Sequence, residues 1–537
     1  MAENRKSRRM AAAAVAARAA RRSQGGPAPQ VPTPGQVPKA PPVAKSAAPR
    51  APAPAQAARP ATGGEIAKAF QIGLQHYEAK RYLDAEIVFR RVVAVLERAA
   101  GTVAGAPSLA QALNALGVIM RMQHRYADAV QYYERALALD PDSAGVFSNL
   151  GNALKDDHQI EAAIEAHKIA VAREPNDAKI HHNLGVSYVQ AGRFEEGLRH
   201  YDRALALQPN FPDASWDRAR ALLYLGDYAR GWPAYEARWE LAEQRHRKRA
   251  GTAWDGKSFA GKRLFLYGEQ GFGDTIQCAR YLPMVKALGG TVILECQPQL
   301  MTLMSGLGVD ELVPRAMAGP PAPPPPHDLI YPLLSLPRYF TPDIADMPAK
   351  VPYLNIPSAR ARKFEEIFAR AGTKLKVGIV WSGSVTFKGN RDRALRLAAF
   401  LHAFDLPGVQ LYSLQKGPPE IELETVDADA PIVNLAPLLG DFADTAAAIA
   451  GLDLVLMTDS AVAHLAGALG RPVWVLVAFV AHWLWLKDRE NDNPWYPSMR
   501  LFRQKHPGQW GAALDRARAE LEAAAAGDRS RLLPPRP

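Results

Sequence analysis

The stretch LVLMTDSAVAHLAGALGRPVWVLV, residues 454 to 477, reads as an apolar strand, a polar turn, a short Ala-rich helix and a second apolar strand. Asp459 and Ser460 are residue types that start helices, Gly470 is the expected stop, and Pro472 bars continuation before Val473. The first backbone N–H groups after Ser460, those of Ala461 and Val462, have no partner inside such a helix and favour an anion, so the unit suits a phosphate. Units of this shape also occur in α/β proteins as plain architecture, and the rest of the chain must decide between the two readings. A second polar turn, GEQGFGDT, follows the apolar run Arg263 to Tyr267. Its Gly268, Gly271 and Gly273 match a dinucleotide fingerprint only in part, and a dinucleotide site is not expected.

These turns need elements to hold them. From Lys262 onward short apolar runs alternate with helical segments, the pattern of a parallel α/β sheet. Arg263 to Tyr267 and Thr291 to Cys296 read as strands, with a helix over Ile276 to Leu288 between them. A Pro-rich linker including Pro320 to Pro326 precedes the segment Asp328 to Pro357, which closes the first half over residues 262–357. A second series spans residues 374–525, with strands over Lys376 to Trp381, Val409 to Leu414, Asp453 to Met457 and Val473 to Val477. Its helices include Asp441 to Ala450 and a last one over Trp510 to Ala524. Two such sheets in tandem imply a cleft, and ligands of open α/β sheets bind beyond the carboxyl ends of the strands.

Ahead of them, residues 110 to 211 repeat with a period of 34. Leu116-Gly117, Leu150-Gly151 and Leu184-Gly185 share one position; Ala129, Ala163 and Gly197 share another; Ala136, Ala170 and Ala204 a third; and Pro141, Pro175 and Pro209 close the units. These positions match the tetratricopeptide repeat. With weaker flanking units around Gly73, Ala85 and Phe89, and around Ala219, Gly231 and Tyr235, about five units fill residues 63–242. Their concave surface suits a protein or peptide. Asn149 and Asn183 share a register that would hold a peptide backbone or simply face water.

The net charge of +11 resembles that of a nucleic-acid binder, but residues 1 to 60 hold eleven Lys and Arg against the single acid Glu3. The body is nearly neutral, so no nucleic acid is expected. The basic Ala/Pro-rich tail, residues 1–62, has too few large apolar side chains to offset ordering entropy and is expected to be disordered. No apolar run is long enough for a transmembrane segment. The two cysteines, Cys278 and Cys296, form no metal or disulfide framework, which fits a cytoplasmic protein.

Five ordered segments, YGEQGFGDTIQCARYLP, VGIVWSGS, SLQKGP, DFADTAAAIAGLDLVLMTDSAVAHLAGALGRPVWVL and NPWYPSMRLFRQ, resemble the heptosyltransferase-related glycosyltransferases of family 9. With the repeats added, the layout is similar to that of the protein O-GlcNAc transferases. The resemblance implies an α + α/β chain: a TPR α-solenoid followed by a GT-B pair of Rossmann-like domains, acceptor on the first and nucleotide-sugar donor on the second. It implies no metal and no cofactor beyond the nucleotide-sugar co-substrate. Asp274 then matches a proposed catalytic base beside the loop glycines Gly271 and Gly273, although an Asp at a helix start is also an ordinary cap. Asp459, Ser460, Ala461, Val462 and His464 match the donor-phosphate motif, and Lys388, Arg391, Arg393 and Lys416 are cations placed to neutralise diphosphate. Ala394 and Leu395 stand where relatives are expected to carry a hydroxyl. Trp483, Trp485, Trp495 and Tyr496 suit a sugar or base, but packing between domains is the favoured expectation. The expected function is glycosyl transfer to an acceptor recruited by the solenoid; the alternative is a non-catalytic scaffold with a degenerate nucleotide-sugar domain.

Overall fold

Glycine dictates how closely the helices of each repeat approach. A Cβ at Gly73, Gly117, Gly151 or Gly185 would lie 2.6 to 2.7 Å from the ring of Phe89, Tyr133, His167 or Tyr201, so only glycine lets each ring lie on the facing helix. The computed structural model describes residues 61–99, 103–319, 321–387, 389–426 and 432–535. The basic tail, residues 1–60, lies outside the described residues, and so does Lys388. The chain divides into two compact units between Pro175 and Asn176, inside the repeat region.

The first unit pairs α1 (Gly63–Glu78) with α2 (Tyr82–Arg98), α3 (Leu109–Met122) with α4 (Tyr126–Leu139), and α5 (Ala144–Asp156) with α6 (Ile160–Arg173). Capping boxes start α1 at Thr62 and α3 at Ser108. The turn inside each of these pairs places one residue in the left-handed region: Lys80, His124 and His158, at φ near 60°. The equivalent residues of the later repeats are Gly192 and Gly226. Asn149 Nδ2 donates to Asn114 Oδ1 of the preceding repeat at 2.9 Å.

The second unit carries α7 (Ala178–Gln190), α8 (Phe194–Leu207), α9 (Pro212–Tyr224) and α10 (Tyr228–Tyr235) into two parallel sheets. The first sheet orders β1 (Arg263–Tyr267), β2 (Thr291–Cys296), β3 (Glu311–Pro314) and β4 (Leu329–Pro332) as β3-β2-β1-β4. The second contains β5 (Leu375–Val380), β6 (Val409–Ser413), β7 (Ile432–Asn434), β8 (Leu454–Thr458), β9 (Val473–Val477) and β10 (Met499–Arg503), in the order β10-β9-β8-β5-β6-β7. Every residue of β8 and β9 is buried, as expected of central strands covered on both faces. The helices that matter below are α11 (Phe272–Cys278), α12 (Leu397–Phe404), α13 (Phe442–Gly451), α14 (Ala461–Ala468) and α15 (Gly511–Ala525), with α15 packed on α12.

Strands β3, β4, β7 and β10 were not among the expected ones, and two differences from the sequence expectation have a plain physical reason. The helix expected over Ile276 to Leu288 begins four residues earlier and breaks into α11, a 3-10 turn over Ala279–Tyr281 and a short helix Leu282–Lys286, because Pro283 can only start a helix. Strand β10 was hidden by its charges: Arg500 is buried, and its guanidinium reaches Glu520 and the Arg531 carbonyl.

The last solenoid helices pack directly on the sheets. Trp232 Nε1 donates to the Thr341 carbonyl at 2.8 Å, Trp495 Nε1 to the Tyr228 hydroxyl at 3.1 Å, and Arg503 to the Tyr224 hydroxyl at 2.7 Å. Trp483, Trp485, Trp495 and Tyr496 are all buried, and Trp483 meets Trp232 edge-on at 5.1 Å. The aromatic cluster fills this seam. Among the described residues no helix is long and apolar enough to cross a membrane.

Candidate functional site

The turn after β1 and the turn after β8 meet. A Cβ on Gly273 would lie 2.7 Å from His464 Cδ2 and 3.4 Å from Ala461 Cα, so glycine allows the start of α11 to touch the start of α14. This brings Asp274, Asp459, Ser460, Ala461 and His464 into one neighbourhood, one carboxylate from each sheet's edge.

Asp274 is not the N-cap of its helix. Gly271 takes that place, and Asp274, three residues on, accepts the Gly271 N–H on Oδ2 at 2.9 Å. Burial pushes its carboxyl up to about 6; the Asp459 charge adds to this, while the Gly271 N–H and Arg393 oppose it. Asp459 goes the other way. Burial alone would raise it, but Arg393, whose Nη1 lies 3.3 Å from Asp459 Oδ2, together with His482 and Trp485 holds it below the usual carboxylate range. The Trp485 indole N–H leans toward Asp459 without a full hydrogen bond. Burial and neighbouring charges thus move the two carboxyls in opposite directions.

Ser460 sits extended at the start of α14 (φ −158°, ψ 178°) and makes no side-chain capping bond. Its hydroxyl and the N–H groups of Ala461 and Val462 therefore have no role inside the helix. His464 lies on Trp485 with ring centroids 5.6 Å apart, and its Nδ1 meets the Tyr496 hydroxyl at 3.1 Å. Burial, aided by the charges of Arg280 and Arg393 and opposed by Asp459, pushes its pKa down to about 4, so the ring is neutral at pH 7. His482 is driven down to about 3, again by burial first, with Asp459 opposing and Arg220 of α9 among the contributing cations.

Among the described loop cations, Arg393 is the one at the site: it lies over Phe387 at 4.7 Å, and its buried Nε has no hydrogen-bond partner among the described residues. Arg391 is half exposed beside Asp392. Lys416 is exposed, and its ammonium donates to the Ala436 carbonyl at 2.9 Å, directed toward the segment after β7. Among the described residues no group of three His, Cys, Asp or Glu side chains is placed to hold a metal ion.

Sequence reasoning missed a buried ion cluster behind the glycine-rich loop. Arg238, fully buried just after α10, donates to Glu236 Oε1 at 2.8 Å, Glu269 Oε1 at 2.9 Å and Ser335 Oγ at 2.7 Å. Burial pushes Glu269 up to about 7 despite Arg238, and its Oε2 has no partner. The polar Glu269 in an otherwise glycine-rich turn was visible in the sequence; its partner, 31 positions away, was not.

Comparison with known proteins bears on the repeats and on the chain's relatives. Family models described as tetratricopeptide repeat match residues 65–142, 120–185 and 178–211. The chain is 29% identical over 328 residues to protein FlbA of Caulobacter vibrioides, a match covering 57% of this chain and 54% of FlbA. It thus spans about half the length of that relative. Among solved structures, pilF of Pseudomonas aeruginosa is 21% identical (34% of this chain, 78% of that one, TM-score 0.30). A thermophilic TPR protein of Thermus thermophilus is 20% identical (33% and 92%, TM-score 0.29). Residues 65 to 211 therefore carry tetratricopeptide repeats, and a longer part of the chain is similar to FlbA.

Proposed function

We propose that the chain is a metal-independent glycosyltransferase of the GT-B type, whose tetratricopeptide repeats recruit a protein or peptide acceptor. The observation that supports it is the meeting of the Asp274 loop with the start of α14, with Arg393 on Asp459 beside them. In this reading Asp274, whose raised proton affinity suits a base working near neutrality, takes the proton of the acceptor hydroxyl as its oxygen attacks the anomeric carbon. The bond from that carbon to the nucleoside diphosphate breaks. The departing diphosphate is received by the N–H groups of Ala461 and Val462, the Ser460 hydroxyl and Arg393, with the neutral His464 adding a hydrogen bond. Arg393 takes the part that its place in the sequence suggested for the loop cations.

The first experiment is thermal shift of the full-length protein against UDP-, GDP-, ADP-, CMP- and dTDP-sugars and the free nucleotides, because a ligand of the native state raises its melting temperature. One nucleotide series should stabilise the protein, and a flat panel would count against donor binding altogether. With the donor in hand, Asp274→Asn should cut transfer by about 100-fold or more while donor binding stays, the scale of a lost general base. The Gly271 N–H already held by Asp274 supports a second reading, a non-catalytic nucleotide-sugar sensor. It expects donor binding without turnover and no effect of Asp274→Asn.

A further inference from the structure

The glycine-rich loop is gripped by two cations that form no ion pair among the described residues. Arg315, just after β3, donates from Nη1 to the carbonyls of Gly268 at 2.9 Å and Gln270 at 2.8 Å. Arg247, in the connection that follows the solenoid, donates to the Glu269 carbonyl at 2.6 Å. Two guanidiniums thus sit over three consecutive residues, and Arg315 holds its proton less tightly than usual, through burial first and the charge of Arg247 next. Neither has a carboxylate within ion-pair distance among the described residues; Glu295, whose charge reaches Arg315, is paired with Arg249. The side-chain N–H group of Gln270 is buried and unpartnered in the same loop.

Holding the loop does not require this charge. Gln297 Nε2 makes the same kind of bond to the Gln270 carbonyl at 3.1 Å without any. Two adjacent cations with a spare amide donor are completed by an oxyanion, which turns like-charge repulsion into charge-assisted hydrogen bonds. The place is the carboxyl edge of the first sheet, on the loop that leads into Asp274, where an open α/β sheet binds its ligand.

We propose that Arg247 and Arg315 form a carboxylate site that holds an acidic residue of a polypeptide acceptor, so that a neighbouring hydroxyl is presented to Asp274. This rests on the glycosyl-transfer reading for its consequence, though not for the binding itself. A nucleic acid is the weaker fit, because it requires a track of cations and exposed stacking rings, and the nearby Trp239 and Tyr267 are buried.

The test uses full-length protein and a short fluorescein-labelled peptide of alternating Ser and Glu, followed by anisotropy. Wild type should bind it in a salt-sensitive manner and ignore the Ser–Gln counterpart. Arg247→Gln and Arg315→Gln should each weaken binding by about tenfold or more, the scale of losing one charge-assisted contact, and Arg247→Lys should keep most of it. Arg247 is exposed and makes a single bond to the loop, so Arg247→Gln is expected to fold and remains informative if Arg315→Gln misfolds. Unchanged affinity in Arg247→Gln would overturn the proposal, as would tighter binding of a single-stranded oligonucleotide lost in the same variants. The nucleotide thermal-shift panel runs on the same samples. Peptide binding with a flat nucleotide panel sinks the transferase reading and keeps the carboxylate site; a responsive panel with peptide binding indifferent to both arginines does the reverse.

Discussion

At the scale of single residues, the two raised carboxyls make a stability prediction with a definite sign. Glu269 is pushed by burial from an ordinary 4.5 to about 7, and Asp274, again by burial, from 3.8 to about 6. A group raised in the folded state favours folding when protonated, so its contribution is full below its ordinary value and is lost as pH rises through the folded one. Between about pH 4.5 and 7 the wild-type melting temperature should therefore fall relative to that of Glu269→Gln, and a parallel pH profile for the two proteins would contradict the assignment. Removing Arg238 is the harsher change. Arg238→Met strands Glu236 and Glu269 and should cost about 3–5 kcal/mol in urea denaturation. At the phosphate turn, Arg393→Gln removes the charge that lowers Asp459 and should weaken nucleoside diphosphate binding by about tenfold or more, read by titration calorimetry.

At the scale of elements, the repeats show where local geometry is tolerated at a cost and where it is not. Lys80 holds a left-handed conformation (φ 58°) at an exposed turn that later repeats fill with glycine. Lys80→Gly should stabilise the protein by about 0.5–1 kcal/mol, the strain relieved less the added freedom of the unfolded chain. Gly151→Ala should do the opposite. Its new methyl would sit 2.6 Å from His167 Nε2, and about 1–3 kcal/mol should be lost, measurable by chemical denaturation.

At the scale of the whole second unit, the end of the solenoid and the two sheets share one core. Trp232, Tyr228, Trp483 and Trp495 are buried together, and Trp495 Nε1 bonds to Tyr228 across the seam. A fragment beginning near residue 240 would expose this cluster. It should melt well below the full chain and bind a hydrophobic dye, whereas a fragment that melts with the full chain would show the seam to be dispensable. Trp232→Ala, which empties the centre of the seam, should cost about 3–5 kcal/mol.

What the sequence determined by itself is what depends on short spacing. The 34-residue period, the glycine that recurs in it, and the apolar runs of β1, β2, β5, β8 and β9 are local patterns that hydropathy and turn chemistry spell out directly. The two polar turns were legible for the same reason, since glycine, aspartate and serine must stand at fixed offsets from a strand end. Only the tertiary structure decided what those turns face. That Gly273 touches His464, that Arg393 rather than Arg391 meets Asp459, and that Lys416 turns to Ala436 depend on how separate elements cross. Arg238 and Glu269, or Arg247 and the loop carbonyls, read in sequence as ordinary surface charges. Packing decides which charges are buried and what they meet, and no local periodicity records pairings over tens of residues.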